Sequence, residues 1–480
     1  MVTGPTAPTP IPLSGQAAAS GGVVATQNSA VAGGNSVNTL ASTVTVMTPY
    51  SGSTAEGKIT PEILPLTLAD ALKRGLRNNL GALTEASSVL QAQGQRQVAR
   101  SGLLPTLNTA ASEVFERENL RSLGVSLKGI PTAVKFNYID GRAVDLNQSV
   151  LDLVRINNLH GASENLKASL QSAKNSRDLI VLAVGGSYLQ LLATQARIVA
   201  AQAQVESSKA VYQQAADRFS AGLAARVDAE RAQVQLQTEQ QQLRSLQGQR
   251  DTQKLQLARV IGLPLGQAFT PADDYRYTPL ADLTVDDALQ RAFQSRSDLL
   301  AAMSGVRAAE DGLKAAHSER VPQIAVLGSF GGAGVTPSKH STSVYEVAGT
   351  VTIPLYEGGR IHGAIQQATA AVQQRKAELE NTRGQVDQDV RQAFIDLDTA
   401  SDQVGVAKSN VDLSHDSLQQ SRDRFAAGVA DTVELVQAEQ AVVQADNDYI
   451  TAVFEHNLAK VSLARAMGNA EATLPQLLRK

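Results

Sequence analysis

The sequence predicts a mainly α protein with a smaller β part, built as a duplicated unit in which very long coiled-coil helices flank an inserted β-hairpin. Three observations predict this. The 16 prolines leave residues 132–263 and 355–474 without any. A proline inside a helix costs about 3 kcal/mol, so those are the stretches where long helices can run. Within them large apolar residues return every seventh position: Val184, Leu191, Ile198, Val205, Tyr212 and Phe219 in the first, Val390, Leu397, Val404, Val411, Leu418 and Phe425 in the second. That is the period of a left-handed coiled coil. Finally, blocks of sequence recur in the same order in both halves, the signature of an internal repeat.

Taken along the chain, residues 1–60 are Gly, Ser, Thr, Ala and Pro with almost no charge, which predicts a flexible tail. The first repeat covers 66–262 and the second 283–468. Each opens with a short helical segment, 66–104 and 280–321, where Leu66-Thr67-Leu68-Ala69-Asp70-Ala71-Leu72 returns as Leu283-Thr284-Val285-Asp286-Asp287-Ala288-Leu289. Pro105 and Pro322 then mark the inserts. In Tyr345–Leu355 and around Val134, Phe136 and Tyr138, bulky apolar residues alternate with small or polar ones, the period of half-buried strands. Hairpins are predicted at about 106–150 and 323–356, giving four strands per chain. Four cannot close a membrane barrel, which needs at least about eight, so a spanning barrel would have to be shared between chains.

The long helices follow. One from about 151 to 217 would rise roughly 100 Å. Three positions after each large seam residue the side chain is small: Ser187, Thr194, Ala201, Ser208 and Ala215, matched by Ala393, Ala400, Ala407, Ser414 and Ser421, so neighbouring helices can approach closely. The helices break at Asp217-Arg218-Phe219-Ser220-Ala221-Gly222 and Asp423-Arg424-Phe425-Ala426-Ala427-Gly428. They end at Leu257-Ala258-Arg259-Val260-Ile261-Gly262 and Leu463-Ala464-Arg465-Ala466-Met467-Gly468. Residues 469–480 are expected to be a C-terminal tail.

Composition excludes several function classes. With 43 basic and 46 acidic residues there is no positive excess to hold a phosphate backbone, so no nucleic-acid partner is expected. The absence of cysteine removes disulfides, thiolate metal sites, cysteine nucleophiles and an acylated cysteine. Met1–Pro12 shows neither a basic n-region nor an apolar h-region. The longest apolar run, Leu179–Val184, is far below the roughly 20 residues of a membrane helix, which leaves a β-barrel open. The histidines His160, His317, His340, His362, His415 and His456 have no metal-ligand spacing. Gly331-Gly332-Ala333-Gly334 lacks the Gly-Lys-Ser/Thr ending of a phosphate loop and reads as a strand feature. No catalytic residues, cofactor site or metal site are expected, and no enzyme.

The order of these parts resembles the TolC-type outer membrane efflux protein family over about residues 66–470. The matching parts are short helix, Pro-marked hairpin, long helix, an Arg-Phe-x-x-Gly break and a last helix ending Leu-Ala-Arg-x-x-Gly, twice over. Ser149-Val150-Leu151-Asp152 and Pro354-Leu355-Tyr356-Glu357-Gly358-Gly359-Arg360 look like that family's passage from second strand into long helix. The resemblance implies a homotrimer in which four strands per chain build a shared 12-stranded outer membrane β-barrel and the long coiled-coil helices form a periplasmic tunnel. It further implies docking to a periplasmic adaptor (membrane fusion) protein that recruits an inner-membrane transporter. By resemblance the breaks, Arg218, Phe219, Gly222, Leu223, Arg424, Phe425, Gly428 and Val429, lie at the periplasmic tip where an adaptor docks, and Asp228, Asp431 and Glu434 form acidic rings at the aperture. Phe425 and Ala430 stand where the best-known member has a latching tyrosine and arginine, and Gln437 replaces a further aspartate, so that latch does not carry over.

Simpler readings stand beside these. A glycine after a helix is most often a left-handed C-cap, and carboxylates at a helix start favour its positive end. The expected function is a passive exit duct of a tripartite efflux pump. Its alternatives are the duct of type I protein secretion and, in a different class, a non-channel periplasmic coiled-coil scaffold or adaptor.

Overall fold

The computed structural model describes residues 24–30, 40–122, 124, 129, 131–280, 283–335, 341–427 and 429–478. In chain order, β1 (Val24–Ala30), β2 (Leu40–Val46) and β3 (Leu64–Leu66) precede α1 (Leu68–Asn78) and α2 (Leu80–Ser101). The hairpin β4 (Thr106–Asn119) and β5 (Ala133–Leu151) leads into α3 (Leu153–Ser220) and α4 (Arg226–Ile261). After β6 (Phe269–Pro271) the plan repeats with α5 (Val285–Ser295), α6 (Ser297–Ser318), β7 (Gln323–Gly334), β8 (Thr342–Thr352), α7 (Arg360–Ala426) and α8 (Thr432–Ala466), and α9 (Ala470–Leu478) closes the chain. The segments expected as single short helices are each two, parted at Asn79 and Arg296, whose extended backbone ends the first helix.

The chain divides into two compact units. One contains residues 87–172 and 298–383. Its sheet runs β4-β5-β7-β8 with every pair antiparallel. The strands are 14, 19, 12 and 11 residues long, enough to cross a bilayer at the roughly 9–11 residues a tilted strand needs. On β8 the apolar residues Tyr345, Val347 and Val351 share one face and are exposed. Strand β8 stops at Thr352, short of the anticipated 356, because Pro354 cannot donate to a ladder. Within this unit the helix segments are cross-tied by Arg307–Glu164 at 2.8 Å, Arg360–Glu319 at 2.6 Å and Lys376–Glu310 at 3.1 Å.

The other unit holds residues up to 86, 173–297 and 384–480. Its core is centred on α3, where Ile180, Val181, Ala183, Val184, Tyr188 and Leu191 are all fully buried. One 18-residue window of α3 reaches a mean hydropathy of 1.5, and it is 72% buried inside the protein. Helix neighbours, not lipid, cover it. The seam pattern holds here: Leu397, Val404 and Leu418 are buried beside Ala393, Ala400 and Ala407.

Two terminal segments are tied down where tails were expected. Strands β1 and β2 pair from Val24↔Val46 to Ala30↔Leu40, Val44 and Tyr50 enter the core, and the Val44 amide donates to Gln190 Oε1 at 3.2 Å. At the other end Ala470 and Leu474 are fully buried in the same core. The first turn of α9 is held by Asp178, whose Oδ1 accepts from the Ala470 amide at 2.7 Å, and by Arg177–Glu471 at 2.8 Å. Low-complexity sequence does not exclude a few anchors, and these few are enough to order the backbone around them.

The repeats are fastened alike. Thr67 and Thr284 cap α1 and α5 by accepting from the amides of Asp70 and Asp287, a saving of about 1 kcal/mol each. Gly262 and Gly468 end α4 and at the close of α8 with φ of +73° and +79°. A Cβ on Gly262 would lie 2.6 Å from Asn78 Cβ, and one on Gly468 would lie 2.8 Å from Ser295 Oγ, so each glycine seats against the residue before the parting of the short helices. A parallel clasp, β3 on β6 with Leu64↔Phe269, closes the first repeat. The inter-repeat segment is strapped across the bundle: Asp273 Oδ2 accepts from Tyr188 Oη at 2.7 Å and the Leu68 amide at 2.6 Å, Tyr277 Oη meets Ser401 Oγ at 3.1 Å, and buried Lys460 donates to Thr278 Oγ1 at 3.0 Å.

Candidate functional site

The two helix breaks lie in the second unit described, and the structure brings them together. At the α3–α4 break the Gly222 amide donates to Phe219 O at 2.9 Å and the Leu223 amide to Arg218 O at 2.9 Å, with Gly222 at φ +74°. That is a left-handed helix cap. No atom stands within 4 Å of a Cβ built there, so glycine serves the backbone turn and not close packing. At the α7–α8 break the Ala427 amide donates to Asp423 O and the Val429 amide to Arg424 O, both at 3.0 Å. Gly428 lies outside the described residues.

Arg218 joins the breaks. Its guanidinium sits 4.5 Å from the Phe425 ring centre and donates to Phe425 O at 2.9 Å and Ala426 O at 3.3 Å, a cation on the negative end of α7. The same motif therefore points differently in each repeat. Phe425 is buried at 5%, whereas Phe219 is 45% exposed, and Leu223 and Val429 stand out further, at 80% and 68%.

The three acids do not share one environment. Asp431 is the N-cap of α8, its Oδ1 accepting from the Glu434 amide at 2.9 Å. Glu434 is paired with Arg424 at 3.1 Å, a cation that the break itself supplies. Asp228 sits in the first turn of α4, where the cap residue Ala225 offers no side-chain bond, and it pairs with no cation among the described residues. Between the first turns of α4 and α8 lies a groove of about 520 Å³ lined by Val227, Glu230, Val234, Thr432, Val433 and Val436. Its apolar lining was legible in the sequence only as valines falling outside the seams.

Higher up, two carboxylates that the motif reading passed over are buried, Glu239 on α4 and Glu439 on α8, at 7% and 0% exposure. Burial raises both, and for Glu239 the nearby charge of Glu439 adds to the rise. Glu439 stands next to the small seam residue Ala438, and that position inside a coiled-coil register was the available signal.

A model of the outer membrane efflux protein family matches residues 76–263 and 288–469, well over half of the chain. Among curated relatives, a pyoverdine export outer membrane protein of Pseudomonas putida, OpmQ, is 24% identical over 413 residues, 83% of this chain and 85% of its own. An alkaline protease secretion protein of Pseudomonas aeruginosa, AprF, is 22% identical over 301 residues, 62% of each. Among solved structures, the outer membrane channel MtrE of Neisseria gonorrhoeae in its open state superposes with a TM-score of 0.71 at 18% identity, over 87% of this chain and 95% of that one. With its model matched over both repeats, the chain belongs to the outer membrane efflux protein family.

Proposed function

We propose that three copies of this chain close one barrel, four strands from each and twelve in all, and form a passive exit duct that docks to a periplasmic adaptor and an inner-membrane transporter, which supplies the energy. The observation that carries this is the open sheet: among the described residues strands β4 and β8 each pair on one side only, although the strands are long enough to span a membrane. Unpaired backbone groups in lipid cost several kcal/mol each, so the edges need partners, and identical copies provide them. Detergent extracts are expected to contain a particle of three times 50.6 kDa. A monomer that stays soluble without detergent would overturn the reading. A non-channel scaffold is not favoured by the family.

We further infer that the breaks are the adaptor-facing tip. Phe219, Leu223 and Val429 support this as apolar side chains held out at the breaks, while Arg218 and Phe425 fasten the turns from within, Arg424 is held to Glu434, and Gly222 permits the left-handed turn; Gly428 joins this tip by its place in the motif alone. Gly222→Val is expected to leave the trimer intact and weaken adaptor-dependent export. At the aperture Asp228 carries the cation preference of the duct, with Glu434 tempered by Arg424 and Asp431 serving as a cap. In planar bilayers Asp228→Asn should therefore lower cation selectivity more than Glu434→Gln. Of the two relatives, OpmQ is named for pyoverdine export and AprF for alkaline protease secretion, and we assign the choice of cargo to the inner-membrane partner.

A further inference from the structure

Glu239 on α4 and Glu439 on α8 are close enough for their charges to interact, and a cation, Arg422, stands beside Glu439. Glu439 Oε1 accepts from Ser207 Oγ at 2.6 Å, and Ser207 in turn accepts from Arg422 Nη2. The guanidinium itself stands 3.8 Å from Glu439. Glu439 Oε2 is buried without a hydrogen-bond partner, as are Ser208 Oγ and Gln204 Nε2 nearby on α3. Glu239 Oε1 accepts from Gln235 Nε2 at 2.6 Å. The groups acting on Glu439 are Ser207 and Ser208 from α3 and Arg422 from α7, and its own charge reaches Glu239 on α4. Along the same wall a cavity of about 710 Å³ is lined by Gln204, Ser207, Arg422 and the His415–Asp446 pair, whose atoms are 3.6 Å apart.

A buried carboxylate with an orphaned oxygen is costly when ionised, and breaking or half-satisfying such a pair costs more than replacing it by a neutral group. We propose that Glu239 and Glu439 form a proton-operated seam: protonated, they let α8 settle against α3 and α4, and ionised, they load the seam with charge and ease α8 away, widening the duct. The direction follows from burial. Both acids are raised above their ordinary values, so the packed seam binds protons more strongly than the opened one. Its stability is full at low pH and is lost as pH rises through the packed-state values. Asp446 is raised as well, with His415 opposing, and adds in the same direction. This regulation rests on the duct reading only for its effect on current.

The chain has no cysteine, so nitroxide labels on Gln240→Cys of α4 and Ala441→Cys of α8, both exposed, report on the seam alone. In the intact trimer, distances between them by pulsed electron resonance are expected to lengthen and broaden between about pH 5 and about pH 8, the carboxylate-to-neutral range. With Glu439→Gln they should stay in the short, acid form at both. A pH response that persists in Glu239→Gln with Glu439→Gln, or none in the parent, overturns the seam. Single-trimer conductance is expected to fall at least about twofold on acidification, the size of change that about 0.4 kcal/mol produces, and to stay low in Glu439→Gln. Distances that switch while conductance does not would remove the link to the duct. If the particle carries no current at any pH, the duct reading fails while the distance measurement still judges the seam.

Discussion

The two repeats tie the same backbone knot with different chemistry. In the first, the parting of α1 and α2 is held by Asn79, fully buried, whose Nδ2 donates to Tyr50 O at 2.7 Å and Val260 O at 3.0 Å while its Oδ1 accepts from the Gly81 amide at 2.9 Å. In the second, the equivalent residue is Arg296, 2% exposed, which shares Asp389 Oδ2 with Arg465, at 2.8 and 2.6 Å, while Gln385 Nε2 holds Asp389 Oδ1 at 2.8 Å. A neutral amide satisfies its neighbours in all its bonds. Two guanidiniums around one carboxylate depend on that carboxylate. The comparison teaches that duplication preserves the helix caps and the terminal glycines, which shape the backbone, and leaves the polar filling free to diverge.

Removing the centre of the ionic knot should break the comparison most. Asp389→Ala leaves Arg296 and Arg465 buried beside no anion at that site and is expected to cost about 3–5 kcal/mol, whereas Asn79→Ala orphans two carbonyls and should cost about 1–3 kcal/mol. Thermal melts of the detergent-held trimer rank the two, and equal shifts would show that the ionic knot is no more dependent on its partner than the amide. Next come the glycines. Gly262→Ala and Gly468→Ala both force a side chain into left-handed backbone, at about 1–2 kcal/mol. Gly262 should be the worse, because its Cβ would also stand 2.7 Å from the backbone atom Thr54 O, while at Gly468 the nearest atom is the movable Ser295 hydroxyl at 2.8 Å and the backbone of Ser295 and Arg296 stands at 3.0 Å. The smallest effect is at the tips. Asp431→Ala removes the cap of α8 at about 1 kcal/mol, and Ala225→Asp should give α4 the cap it lacks. Matching shifts of opposite sign in the melts would sharpen the comparison, and no gain from Ala225→Asp would mean the α4 turn cannot seat a carboxylate.

Much of this was legible from the chain. Proline gaps, the seven-residue seams and the alternation around Tyr345 located the long helices and both hairpins, because those signals are local and periodic. What escaped reading depends on partners far away in sequence. Asn79 and Arg296 look like ordinary helix residues until Val260 and Asp389 are beside them. The Gly/Ser/Thr/Ala segment gave no hint that Val44 and Tyr50 would reach the core, since two anchors are invisible in composition. Glu434 read as an exposed ring acid because its cation, Arg424, sits across a break where the heptad register is lost. Glu239 and Glu439 carry no sequence signal of burial for the same reason: burial is set by which helix lies opposite.

The clasp of β3 on β6 fixes a sequence of events. A chain emerges with its N-terminus first, and everything the clasp needs, from Leu64 to Pro271, is out before the second repeat begins. Gly262 can seat on Asn78 at the same stage. The first repeat can therefore fasten its own base while the rest of the chain is still arriving, but β5 must wait for β7, which lies beyond residue 320, and the outer edge of β4 has no partner strand among the described residues. Local closure comes early and sheet closure late. During that interval the hairpin β4–β5 exposes the β5 edge that β7 later covers.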